Sequence, residues 1–126
     1  MTIETFRSHE LTPPVGPFSQ AVRSGDLIFL SGQVGQDTAS GQLVLGGVEA
    51  EAEQIFRNLE AVLATAGRSF RDVVRVGVFL ADMRDYATVN AIYAKHFTPP
   101  FPARTTVAPA ALPLGAAIEI DLIAQA

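Results

Sequence analysis

Two ionisable side chains occur where an apolar strand pattern has little use for them. Arg104 follows Phe101-Pro102-Ala103 directly, at the predicted start of a short strand over 104–108. Its guanidinium is a planar fork of donors that matches a carboxylate, although an ordinary surface ion pair would use it equally well. Glu119 lies within the apolar run Ala116–Ala124. A carboxylate in such a strand needs either a partner or a raised pKa. With a raised pKa it is equipped for general acid/base work. With a partner, Arg75 or Arg104, it is a structural ion pair.

Most other chemistries lack their residues. The chain has no cysteine, hence no disulfide, thiol nucleophile or thiolate metal site. No Ser-His-Asp spacing, metal-ligand cluster or Walker loop occurs, and Gly32-Gln33-Val34-Gly35 does not complete a dinucleotide fingerprint. His9 and His96 stand alone; His96 falls in the last turn of a predicted helix, where a partly charged imidazole suits the dipole. No metal and no cofactor are therefore expected. Nine Lys and Arg against 13 Asp and Glu give a net charge of −4, with the basic residues spread singly. Phosphate backbones are bound by clustered cations, so nucleic acid is a poor fit. No apolar stretch approaches the ~20 residues that span a bilayer, and the N-terminus does not read as a signal peptide. The cytoplasm is the expected location.

The elements that must position these residues follow from patterning. The 126 residues match one domain, with enough chain for one hydrophobic core. Residues 18–24 and 27–31 read as a hairpin around Ser24-Gly25-Asp26, with Leu27–Leu30 a strand buried on both faces. Residues 34–47 carry four glycines and read as an exposed loop. Ala52, Ile55, Phe56, Leu59, Val62, Leu63 and Ala66 form one stripe of a helix over 48–66, ended by Gly67. A strand over 73–81 follows, with Val74, Val76, Val78 and Leu80 on one face and Val73, Arg75, Gly77 and Phe79 on the other. A second helix is predicted over 84–97, capped by Asp82, with Tyr86, Val89, Tyr93 and Phe97 on its apolar side. In the last strand Ile118, Ile120, Leu122 and Ala124 share one face, and Glu119, Asp121 and Ile123 the other.

The order ββ-α-β-α-β-β is that of an α+β domain. Right-handed crossovers put both helices on the same sheet face. The opposite face combines Phe79 and Ile123 with Arg75, Glu119 and Asp121. At 17% the charged fraction is also low for a small chain. Together these features point to subunits packed sheet to sheet with polar pockets at the seams; a lone chain with a mixed, solvated face is the alternative.

Five segments carry a resemblance. Gly16-Pro17-Phe18-Ser19-Gln20-Ala21-Val22, Ser31-Gly32-Gln33, Ala87-Thr88-Val89-Asn90, Phe101-Pro102-Ala103-Arg104 and Ile118-Glu119-Ile120 resemble, in order and spacing, motifs of the RidA/YjgF family of imine and enamine deaminases. The resemblance implies a chorismate-mutase-like mixed β-sheet with two helices on one face. It also implies a homotrimer with sheets facing inward, pockets between subunits, and a final strand inserted beside the strand over 73–81. It implies hydrolysis of small 2-imino or 2-enamino acids to 2-keto acids and ammonia, without cofactor or metal. By the same resemblance Arg104 would hold the substrate carboxylate, and Glu119 would activate the attacking water and assist proton transfer. Ser31 and Asn90 would shape the pocket, with Phe18 part of its wall. The family often has Tyr where this chain has Phe18, and Cys where it has Thr106, another pocket residue. Other activities that the resemblance admits are non-enzymatic binding of metabolites or proteins by the trimer, and RNA cleavage or translation inhibition, which the acidic balance opposes.

Overall fold

The computed structural model describes residues 3–126. Six strands form one sheet: β1 (Glu4–Phe6), β2 (Ala21–Ser24), β3 (Leu27–Val34), β4 (Val73–Leu80), β5 (Ala103–Val107) and β6 (Ile118–Gln125). Two helices, α1 (Gly47–Thr65) and α2 (Tyr86–Tyr93), complete it. The sheet order is β1-β2-β3-β6-β4-β5. The final strand thus lies in the middle, antiparallel to both β3 and β4, while β4 and β5 are parallel. This is the mixed α+β architecture that the resemblance implied, including the inserted last strand.

The core forms where the α1 stripe meets the covered sheet face. Ile55, Phe56, Leu59, Val62 and Leu63 are buried against Ile28, Leu30, Val76, Val78, Ile120 and Leu122. Each such side chain contributes about 1.5–3 kcal/mol through burial. Gly67, at φ 69°, ends α1 as expected: its N–H bonds to the carbonyl of Ala64 and that of Arg68 to the carbonyl of Leu63, both at 3.0 Å.

Several elements depart from the sequence reading. β1 was not foreseen; it is a three-residue edge strand paired to β2. β3 runs on to Val34, beyond the predicted hairpin strand. The second helix is shorter, because Asp82 caps a 3₁₀ turn over Met83–Asp85, and only from Tyr86 does the chain become α-helical. An extra residue at Val74 makes a bulge against β6, so Val73 rather than Val74 joins the core. Leu27–Leu30 is not buried on both faces of the chain: Ile28 and Leu30 are, whereas Phe29 is 43% exposed. Phe29, Phe79, Val107 and Ile123 therefore share an uncovered sheet face with Arg75, Glu119 and Asp121.

Candidate active site

Arg104 belongs to β5 and pairs in register with Val76 of β4, so it rises on the helix-covered face. There α2 receives it. Its Nη2 donates to Asn90 Oδ1 at 2.8 Å and to the Tyr86 hydroxyl at 3.2 Å. The guanidinium carbon lies 4.7 Å from the centre of the Tyr93 ring and 5.6 Å from that of Tyr86. Stacking of this kind is worth about 0.5–1 kcal/mol at a solvated site and fixes the plane of the group. No carboxylate pairs with Arg104 among the described residues. A cation held on three sides by neutral groups keeps its charge for an incoming anion. Thr106, two residues on, faces the same way, and its buried hydroxyl oxygen has no hydrogen-bond partner among the described residues. Such an orphan is a natural contact for a ligand.

Glu119 is built differently. It pairs with Phe79 on one side and Val34 on the other, so it stands on the uncovered face. Half-burial pushes its carboxyl above the ordinary range, and the neighbouring Asp121 pushes it further. No hydrogen bond or ion pair reaches it among the described residues. Two backbone devices make room for it. A bulge between Leu30 and Gln33 adds a residue to β3, and a Cβ on Gly32 would collide with the Glu119 carboxylate. The carboxylate opens onto a cleft of about 540 Å³ whose wall includes Phe18, Ser31, Gln33, Pro14, Val15 and Leu114. Phe18 is 51% exposed there. The Ser31 hydroxyl donates to the carbonyl of Ser19 at 2.7 Å, which ties the Phe18 segment to β3 and leaves only its lone pairs for a ligand. Gln20 anchors the same segment, accepting from the Ser8 amide at 2.7 Å.

One chain therefore holds two half-sites. Arg104, Asn90 and Thr106 gather on the covered face, while Glu119, Ser31 and Phe18 gather on the other. Arg104 is absent from the Glu119 cleft. An ion pair between Arg104 and Glu119 in one chain is excluded by this geometry. Arg75 instead reaches the Thr105 hydroxyl at 3.4 Å. Burial raises the Asp121 carboxyl, countered by the Gly77 amide and the charge of Arg75. His9 is exposed, and His96 stacks on Phe56 with ring centres 4.2 Å apart, so neither histidine lines the cleft. Among the described residues no group of His, Cys, Asp and Glu could hold a metal ion, and no helix is long and apolar enough to cross a membrane.

The family model described as Endoribonuclease L-PSP matches residues 9–126, a span that includes both half-sites. The chain belongs to this family, which is the RidA/YjgF family. Its relatives include the 2-iminobutanoate/2-iminopropanoate deaminase of Mus musculus, 51% identical over 110 residues, covering 87% of this chain and 82% of that protein. Protein DfrA of Myxococcus xanthus is 45% identical over 126 residues, covering 98% and 96%. The crystal structure of RidA from an Antarctic Psychrobacter superposes with a TM-score of 0.93 at 38% identity, covering 98% of this chain and 99% of that one. The RidA/YjgF fold thus extends over nearly the whole chain.

Sequence patterning took Tyr86 for a core residue of the second helix. It is instead 42% exposed and turned to Arg104. The usable signal was its spacing from Asn90 and Tyr93: positions i, i+4 and i+7 share one helix face.

Proposed function

We propose that the chain is a deaminase that hydrolyses 2-imino and 2-enamino acids of three or four carbons to 2-keto acids and ammonia. The observation that carries the proposal is, among the described residues, an acid-free, immobilised guanidinium on one sheet face and a partnerless, half-buried carboxylate on the other. The names of relatives about half identical to this chain support the reaction. In the proposed site Arg104 takes the substrate carboxylate, with Asn90 and Thr106 beside it. Glu119 removes a proton from water as the oxygen bonds to the imine carbon, and the imine nitrogen becomes an amine. Glu119 returns its proton to that nitrogen, and the ionised carboxylate then takes the proton of the new hydroxyl as the C=O bond of the keto acid forms, the C–N bond breaks and ammonia leaves. Imines of this kind already hydrolyse in water. General acid/base catalysis adds about 10²–10⁴-fold, so the machinery needs neither metal nor cofactor.

Because the half-sites lie on opposite faces of one sheet, the proposal includes assembly. A homotrimer with sheets facing inward would cover Phe29, Phe79 and Val107 and bring Arg104 of one chain to Glu119 of the next. Cytoplasm suits a chain without thiols, and a net charge of −4 offers little to RNA.

The test generates 2-aminoacrylate with a serine dehydratase and follows keto-acid release. Wild type should accelerate release over buffer, and Arg104→Ala should lower kcat/KM about 10- to 100-fold by loss of charge-assisted bonds. No acceleration by wild type rejects the deaminase; full activity in Arg104→Ala rejects the clamp.

A further inference from the structure

In the free chain the Arg104 fork is already occupied. A carboxylate binds a guanidinium bidentately in two ways, end-on through Nη1 and Nη2 or side-on through Nε and Nη2. Both use Nη2, which has two hydrogens. Nη2 already donates to Asn90 Oδ1 at 2.8 Å and to the Tyr86 hydroxyl at 3.2 Å. Bidentate capture must therefore release one of these acceptors. The bond to Asn90 is the shorter and partly buried; that to Tyr86 is longer and exposed, so Tyr86 yields.

We propose that the Tyr86 hydroxyl is a placeholder for the substrate carboxylate: it accepts from Arg104 in the free protein and, once displaced, donates its own hydrogen to the bound carboxylate. This rests on the deaminase reading, in which Arg104 is the clamp. Tyr86 is the first residue of α2, and its ring already lies beside the guanidinium. Hydrogen bonding with Asn90, and then the bond and charge of Arg104, hold the phenol below its usual pKa in the free protein.

Direct calorimetric titration of the assembled protein with pyruvate and with methyl pyruvate separates the carboxylate contact from the rest of the ligand. Tyr86→Phe should bind pyruvate about tenfold more weakly. Its KM for the imino acid should rise equally, with kcat within about twofold of wild type. Methyl pyruvate should bind wild type and variant alike. Pyruvate binding that is unchanged or tighter in Tyr86→Phe overturns the placeholder, and so does an equal loss for acid and ester, a fall in kcat at constant KM, or wild type that does not bind pyruvate. Wild type that binds pyruvate in this pattern yet turns over no imine removes the deaminase reading and leaves the Tyr86 assignment standing.

Discussion

At the residue scale, Glu119 has no counter-ion among the described residues and sits beside a second acid, Asp121. Both circumstances favour the protonated carboxyl, so its pKa lies above the ordinary glutamate range. A group that must accept a proton from water works only when ionised. Activity should therefore fall as pH drops through this raised pKa, at a higher pH than for an unperturbed glutamate. Asp121→Asn removes the neighbouring charge. Its acid limb in kcat/KM should move to lower pH but stop short of the ordinary glutamate range, because burial is the larger cause and remains. An acid limb unmoved by Asp121→Asn would mean that another group titrates. Glu119→Gln should abolish the limb and lower kcat about 10²–10⁴-fold.

At the element scale, two glycines of the β3 segment look alike in sequence and differ in what they face. A Cβ on Gly32 meets the end of the flexible Glu119 side chain, which can swing away. A Cβ on Gly35 comes within 2.7 Å of the Glu51 Cα, where α1 crosses the end of β3 and nothing can swing. Gly32→Ala should thus reduce kcat/KM tenfold or more with a Tm shift under about 3 °C. Gly35→Ala should cost about 1–3 kcal/mol in stability, read by denaturant unfolding. The reverse pattern would show that Gly32 is needed for folding and not for the carboxylate. Much of this architecture was legible in advance. The α1 stripe, the two faces of β6 and the Gly67 stop all follow from periodicity and backbone freedom. The bulges at Val74 and after Leu30 were not, because an extra residue in one strand is defined only by its partner. Glu51 was equally hidden: off the apolar stripe it suits only the positive end of the helix dipole, yet it is buried and accepts the Ala117 amide at 2.8 Å, pinning the start of β6 to α1.

At the scale of the whole molecule, the sequence pattern made Arg104 and Glu119 candidates but could not say on which side of the sheet each emerges. Register decides it. Arg104 pairs with Val76 and Glu119 with Phe79, an odd separation along β4, so they face opposite ways. If catalysis needs both, the proposed trimer must supply them from adjacent chains, and this has a stoichiometric signature. Arg104→Ala and Glu119→Gln each keep, alone, about a tenth of wild-type activity or less. In trimers reassembled from an equal mixture, a site is intact when its arginine comes from the Glu119→Gln chain and its acid from the Arg104→Ala chain. Random assembly gives that arrangement at about a quarter of the sites. Mixing after denaturation and refolding should restore about that fraction of wild-type activity, whereas the double variant mixed with itself restores none. Charge-changing Phe79→Asp on the uncovered face should yield monomers by sedimentation, and those monomers should be inactive. No recovery in the mixed trimers, or an active monomer, would place the chemistry within one chain, where the sheet itself separates the two groups.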